Sequence, residues 1–151
     1  MNLTVKEQGL LKDLQSEEKL CTEKYQKAAA AACDPQLQEM FSKIAGEEQG
    51  HYETVTQMLS GRVPSPKNPQ QPEAVQKAAL QSKADSAGRQ ADEYLLKDLL
   101  AMEKYTAGVY NISVFEFSDG QARQVLNEIQ TQEQNHGKQL SDYMQANGMY
   151  C

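Results

Sequence analysis

Apolar residues recur every three or four positions along four segments of the chain, which is the spacing of one face of an α-helix. No segment alternates apolar and polar residues for long enough to predict a β-strand. The pattern and its interruptions predict four helices, at about residues 4–32, 35–60, 86–117 and 120–147, and a short extra helix at 73–83. The predicted fold class is therefore all-α.

Two short breaks and one long connection separate the four helices. Cys33-Asp34-Pro35 combines an N-cap residue with a proline suited to the first helical turn, and Ser118-Asp119-Gly120 is a similar break. Residues 61–85 hold Pro64, Pro66, Pro69 and Pro72, so they cannot form one continuous helix. Two helical hairpins (4–60 and 86–147) joined by a crossover (61–85) predict a ferritin-like four-helix bundle, with residues 1–151 as one domain.

The two hairpins repeat one sequence at an offset of 85 residues. Leu10-Leu11-Lys12-Asp13-Leu14 coincides with an identical segment at 95–99. Glu48-Gln49-x-His51 falls on Glu133-Gln134-x-His136, so both histidines of the chain occupy repeated positions. The repeat predicts that the two hairpins have the same fold and present equivalent side chains to the core.

Glutamate and histidine interrupt each predicted inner face near its middle. The inner face of the second helix is predicted to follow Leu37, Met40, Ile44, Glu48, His51, Val55 and Met58. The interrupting residues are Glu18 in the first helix, Glu48 and His51 in the second, Glu103 in the third, and Glu133 and His136 in the fourth. Residues three apart share a helix face, so each Glu-x-x-His pair can point at the same ion.

Burying these groups requires a compensating charge. A buried unpaired carboxylate costs several kcal/mol or takes up a proton. Divalent cations supply the opposing charge and accept oxygen and imidazole ligands together. The six residues therefore predict a site for two metal ions, iron or manganese, with zinc also compatible with the ligands, in the di-iron/di-manganese carboxylate pattern. The alternative is a metal-free polar layer with glutamates protonated or paired to the histidines.

Several neighbouring residues allow two interpretations. Tyr25 and Tyr110 lie two turns beyond Glu18 and Glu103, where their hydroxyls either serve the site or are those of ordinary core aromatics. Cys21, one turn from Glu18, either contacts the site or is a small core residue. Glu17 and Glu47 have Met102 and Gln132 as their counterparts in the repeat, and are interpreted as solvated or flanking charges.

Composition excludes several classes of function. A net charge of −6 argues against nucleic-acid binding, which needs a basic surface. No apolar run approaches the roughly 20 residues of a membrane span. Residues 1–14 already have helical spacing and charges of both signs, unlike a signal peptide, which predicts a cytoplasmic protein. Cys21, Cys33 and Cys151 form no C-x-x-C pair, so reduced thiols are expected, with Cys151 available for crosslinking.

The first half of the chain resembles the coat F type of spore coat protein, which is assigned to the ferritin-like superfamily in endospore-forming Firmicutes. The resemblance is carried by Leu3-Thr4, Leu10 to Leu14, Cys33-Asp34-Pro35-Gln36-Leu37, Glu48-Gln49-x-His51 and Leu59-x-Gly61. Because all six predicted ligands are present, the chain is also similar to rubrerythrin-like and manganese-catalase-like bundles. It lacks the four-cysteine rubredoxin module of rubrerythrin.

This resemblance implies two functions. The first is a structural protein of the mother cell that assembles into the spore coat, with other coat proteins or as a homo-oligomer. Cys151, Tyr52 and Tyr150 would then be available for crosslinks. The second is an oxidoreductase whose two metal ions react with peroxide or oxygen. Both functions predict no nucleic-acid partner and no membrane partner.

Overall fold

The protein is all-helical in the computed structural model, which describes residues 1–67 and 75–150. Within these residues there is no strand, and four long helices are present: α1 (Val5–Ala31), α2 (Pro35–Leu59), α3 (Ser86–Glu116) and α4 (Gly120–Ala146). Each begins and ends within one residue of its predicted bounds. This architecture is compatible with a four-helix bundle.

The extra helix predicted at 73–83 is only a short 3-10 helix, Lys77–Leu80. None of its residues is buried, so no apolar face stabilises a longer helix. Residues 73 and 74 lie outside the described part of the chain. Among the helices that are described, none has the length and apolar character needed to cross a membrane.

A side-chain cap defines the start of every long helix. Thr4 Oγ1 accepts a hydrogen bond from Glu7 N, and the Glu7 carboxylate accepts one from Thr4 N, which together form a capping box. The carboxylates of Asp34, Asp85 and Asp119 accept backbone N–H groups at the starts of α2, α3 and α4. The caps explain why the bounds were predictable, since each is a local feature of the sequence.

The two described ends of the connection between the hairpins lie at opposite ends of α4. Gln121, at the start of α4, donates to the carbonyls of Val63 and Pro64, just after α2 ends. Gln81 donates to the Ala146 carbonyl, at the other end of α4. α2 and α3 therefore run in the same direction, whereas the helices within each hairpin are antiparallel.

The core consists of two apolar clusters. One includes Tyr25, Phe41, Leu96 and Leu140, and the other includes Leu11, Val55, Tyr110 and Leu126. Each cluster draws residues from all four helices, and the glutamate and histidine positions lie between the two clusters along every helix. The polar layer therefore has apolar packing on both sides.

The predicted inner face of α2 is wrong at one position. Phe41 is fully buried, whereas Met40 is only partly buried. The Phe41 ring packs against Tyr25 of α1, with 6.1 Å between the ring centroids. Positions 40 and 41 lie on opposite edges of the inner face, and the neighbouring α1 helix covers the edge that carries Phe41.

A buried aspartate joins the two hairpins at one end of the bundle. Asp92 of α3 accepts hydrogen bonds from Cys33 N at 2.7 Å and Asp34 N at 3.0 Å, in the turn between α1 and α2. The Asp34 carboxylate in turn accepts the hydroxyl of Tyr143 from α4, at 2.6 Å. These bonds give buried backbone N–H groups the partners that they require.

Replacing Asp92 with alanine should lower the free energy of unfolding by about 2–4 kcal/mol, because two buried N–H groups lose their acceptor. Urea denaturation monitored by circular dichroism measures this change. Asp98→Ala removes another carboxylate of α3, which is half-exposed and paired with Lys24 of α1, and it should change the free energy by no more than about 1 kcal/mol. Equal effects of the two substitutions would contradict this account of Asp92.

Candidate metal centre

All six residues predicted from the inner faces lie together in the middle of the bundle. α1 and α3 each contribute one glutamate, whereas α2 and α4 each contribute a glutamate and the histidine three residues later. None of the six is more than 5% exposed. The six residues, Glu18, Glu48, His51, Glu103, Glu133 and His136, are called the acidic layer below.

The acidic layer divides into two overlapping groups that could each hold a metal ion. One consists of Glu18, Glu48, Glu133 and His51, and the other of Glu48, Glu103, Glu133 and His136. In each group the possible ligand atoms lie within 4.8 Å of one another. Glu48 and Glu133 belong to both groups, so their carboxylates lie between the two positions.

Both histidines present Nδ1 to the carboxylates. His51 Nδ1 lies 2.8 Å from Glu133 Oε1 and 3.0 Å from Glu48 Oε1. His136 Nδ1 lies 3.3 Å from Glu48 Oε1 and 3.4 Å from Glu103 Oε1. The two rings are stacked, with 5.9 Å between their centroids.

The acidic layer contains unpaired polar atoms. Within the described residues, every buried side-chain nitrogen or oxygen that lacks a hydrogen-bond partner belongs to one of these six residues. The unpaired atoms are both oxygens of Glu48 and of Glu133, one oxygen each of Glu18 and Glu103, and Nδ1 of both histidines. The close Nδ1–carboxylate distances do not have hydrogen-bonding geometry. Carboxylate oxygen and imidazole nitrogen are ligands of iron, manganese and zinc, so the residues present could hold such ions.

The two tyrosines contact the acidic layer directly. Tyr25 of α1 donates its hydroxyl to Glu103 Oε1 of α3 at 2.6 Å, and Tyr110 of α3 donates to Glu18 Oε1 of α1 at 2.7 Å. Cys21 Sγ lies 3.5 Å from Thr106 Oγ1, its counterpart in the repeat, in a buried contact. The tyrosine hydroxyls therefore fix one carboxylate oxygen of Glu18 and one of Glu103, and the second oxygen of each carboxylate stays unpaired.

The outward nitrogens of the histidines bond to residues that the sequence did not identify. His136 Nε2 lies 2.6 Å from Glu47 Oε2, and His51 Nε2 is hydrogen-bonded to Gln132 Oε1. Of the two interpretations of Glu47, a solvated or a flanking charge, the structure favours the flanking one, because its partly exposed carboxylate bonds to the histidine of the facing helix. Glu17 is half-buried and accepts the hydroxyl of Thr106 at 3.3 Å.

Burial and mutual charge determine the protonation of the acidic layer. Burial, assisted by the Glu48 carboxylate, raises the pKa of Glu18 from 4.5 to about 7, and burial raises the pKa of Glu133 well above 4.5. Burial alone would lower the pKa of His51, but the carboxylates of Glu18 and Glu48 raise it from 6.5 to about 10. Without metal, protonated histidines and partly protonated glutamates therefore balance the charge of the layer.

Comparison with known proteins identifies a family signature in the second hairpin. Residues 91–150 match the Coat F domain. The Coat F match includes most of α3 and all of α4, and thus Glu103, Glu133 and His136, although it covers less than half of the chain. No curated protein and no solved structure gives a significant match. The match supports the resemblance to coat F-type proteins, and it lies in the second hairpin, whereas the motifs that carry the resemblance in the sequence lie in the first.

The stability of the metal-free protein should decrease as the pH rises from about 6 to 9. The pKa values of His51 and Glu18 are both higher in the folded state than in the unfolded state. The stabilisation from His51 is complete below pH 6.5 and is lost as the pH rises through 10. The stabilisation from Glu18 is complete below pH 4.5 and is lost as the pH rises through 7. Urea denaturation with a chelator at each pH should show a fall on the order of 2 kcal/mol. Stability that is constant or rising over this range would contradict these protonation states.

Proposed function

We propose that the whole chain is one ferritin-like domain that holds two metal ions, iron or manganese, in its core. The carboxylate oxygens and imidazole nitrogens of the acidic layer carry this proposal, because these buried atoms have no hydrogen-bond partner among the described residues. Glu18 and His51 would bind one ion, Glu103 and His136 would bind the other, and Glu48 and Glu133 would contact both. Zinc is also compatible with these ligands.

We propose that the protein is a structural component of the spore coat, made in the cytoplasm of the mother cell. The Coat F match in residues 91–150 supports this assignment. The position of the acidic layer is consistent with it, because a metal pair between two apolar clusters links all four helices and stabilises the bundle as a building block.

The outer face of α3 supports self-association in this role. Tyr94, Tyr105, Ile112 and Phe115 are 57–79% exposed and follow one another at heptad-compatible spacing. In α1 the repeat places Gly9, Leu20, Lys27 and Ala30 at the equivalent positions. The bundle itself therefore does not require apolar residues there. We propose that a second copy of the chain packs its own α3 against this stripe.

The stripe supplies more than half of the area that such a dimer typically buries. Three aromatic residues and an isoleucine bury roughly 500 Å² at the exposures observed, and their smaller neighbours add to this. A typical stable interface buries about 800 Å² per partner. Two-fold pairing brings the same stripe from each copy together, so no second complementary surface is needed.

Tyr105→Glu combined with Phe115→Glu should convert the dimer to a monomer, because the pairing buries both side chains. Sedimentation equilibrium at tens of micromolar measures the mass. The matched control changes the repeat-related positions on α1, Leu20→Glu with Ala30→Glu, and should leave the dimer intact. A monomeric wild-type protein, or a dimer that survives the α3 substitutions, would contradict the proposed interface.

The alternative function is an oxidoreductase acting on peroxide or oxygen. It is favoured by the chemistry of the two four-residue groups, whose carboxylates and imidazole would hold iron or manganese, and either metal would supply redox chemistry toward a small oxidant. Iron or manganese would supply the redox chemistry, while the chain would hold the ions, orient Glu18 and Glu103 through the tyrosines, and exclude water. The near-complete burial of the layer restricts any reactant to small molecules.

The purified protein should bind two equivalents of Mn²⁺ or Fe²⁺, and its melting temperature should rise by at least several degrees on binding. The rise should be larger at pH 8 than at pH 6, because metal displaces protons from the histidines and from Glu18. Elemental analysis and calorimetry give both quantities. Peroxide turnover by the loaded protein would favour the oxidoreductase, and its absence would favour the structural role.

Glu48→Ala with Glu133→Ala should abolish this metal-dependent rise, because both proposed positions lose their shared carboxylates. A matched control removes one carboxylate outside the layer from each of the same helices, the exposed Glu39 and the partly exposed Asp142, as Glu39→Ala with Asp142→Ala, and should keep the full rise. A wild-type protein that binds no metal and is fully stable would show that the layer is metal-free.

A further inference from the structure

The repeat is symmetric in geometry but not in chemistry behind the two histidines. Glu47 and Gln132 are separated by the repeat offset of 85 residues, and each accepts from Nε2 of the histidine on the facing helix. The residue behind His136 is a carboxylate, however, and the residue behind His51 is an amide. The six residues of the acidic layer itself are identical in the two halves.

The difference acts on the metal through the imidazole ring. A histidine that binds metal through Nδ1 is neutral, so its single proton is on Nε2 and must be donated to the residue behind it. A hydrogen bond to a carboxylate is charge-assisted and stronger than one to an amide oxygen. It makes Nδ1 a better donor to the metal and fixes the orientation of the ring.

The negative charge of Glu47 also favours metal binding on the His136 side of the layer. Glu47 places an additional negative charge on the His136 side of the layer, whereas Gln132 adds none on the His51 side. The Glu47 side chain is 39% exposed, so solvent weakens this effect without removing it. Glu48 and Glu133 are shared, and Glu18 and Glu103 each accept one tyrosine hydroxyl, so these residues do not distinguish the two positions.

We propose that the two metal positions are inequivalent and that Glu47 makes the position at His136 fill first. The inference rests on the proposed metal site and defines its order of loading. A hydrogen-bonded carboxylate behind a metal-binding histidine changes metal affinity about 10–100-fold. Because Glu47 is partly exposed, the difference between the two positions should lie near about 10-fold.

The chain has only two histidines, so both positions can be observed separately. Protein labelled with ¹⁵N-histidine is freed of metal and titrated with Zn²⁺ as a diamagnetic probe. The ring nitrogen resonances are assigned with a His51→Gln variant. With an affinity difference of about 10-fold, His136 should be about three-quarters metal-bound and His51 about one-quarter metal-bound at one equivalent in the wild-type protein, and both should be fully bound near two equivalents.

Glu47→Gln should make the two histidines fill in parallel, because both then donate to an amide. Gln132→Glu should also make the two histidines fill in parallel, because both positions then have the higher metal affinity. This variant provides an independent test if Glu47→Gln folds poorly. Glu17→Gln is the matched control, since it removes a half-buried carboxylate near the layer that bonds to Thr106 and to neither histidine. This control should leave the order of filling unchanged.

The possible failures are distinguishable. Absence of any zinc-dependent change would overturn the proposed metal site itself. Binding of two equivalents with both histidines filling together in the wild-type protein would leave the metal site intact and overturn the inequivalence. Sequential filling that persists in Glu47→Gln, or that is lost in Glu17→Gln, would show that Glu47 is not its cause.

Discussion

The burial of four carboxylates in one layer of a helical core is the constraint on which the rest of this structure depends. Such groups are stable there only with opposing charge, bound protons or metal ions. Two imidazoles contribute positive charge, and two tyrosine hydroxyls each donate to one glutamate. The apolar clusters on both sides of the layer provide the packing that holds these groups together. A shorter bundle would have less apolar core to offset the same polar layer.

The acidic layer also determines how the two hairpins fit together. Tyr25 and Tyr110 bond across the α1–α3 pair, and the histidines bond to Gln132 and Glu47 across the α2–α4 pair. Each bond requires a particular height of one helix against the other, because a shift of one turn would separate the partners by about 5 Å. Apolar packing alone tolerates such shifts better. The polar groups of the layer, together with Asp92 at one end of the bundle, therefore specify a single register.

The helix bounds and the six residues of the acidic layer could be predicted because they depend on local features. A capping aspartate, a proline in the first turn and an i, i+3 pair each act within one helix. Burial of Phe41 instead of Met40 depends on the neighbouring helix, which the sequence alone does not position. The partnership of Glu47 with His136 was missed for another reason. Glu47 and Gln132 differ in identity and charge, so the repeat does not show that both accept the same hydrogen bond.

The two halves differ where the acidic layer imposes no constraint. The six core positions of the layer and Tyr25 and Tyr110 are identical between the halves, since each one contacts the layer. Behind each histidine only a hydrogen-bond acceptor is needed, and this acceptor is glutamate at His136 and glutamine at His51. On the outer faces, where the layer has no influence, α1 is largely polar and α3 presents an apolar stripe. The residues that form the layer or donate to its carboxylates are therefore the same in both halves, whereas the outer faces of α1 and α3 differ. The core retains the residues suited to a metal pair, while the surface of α3 is free to acquire a role in assembly.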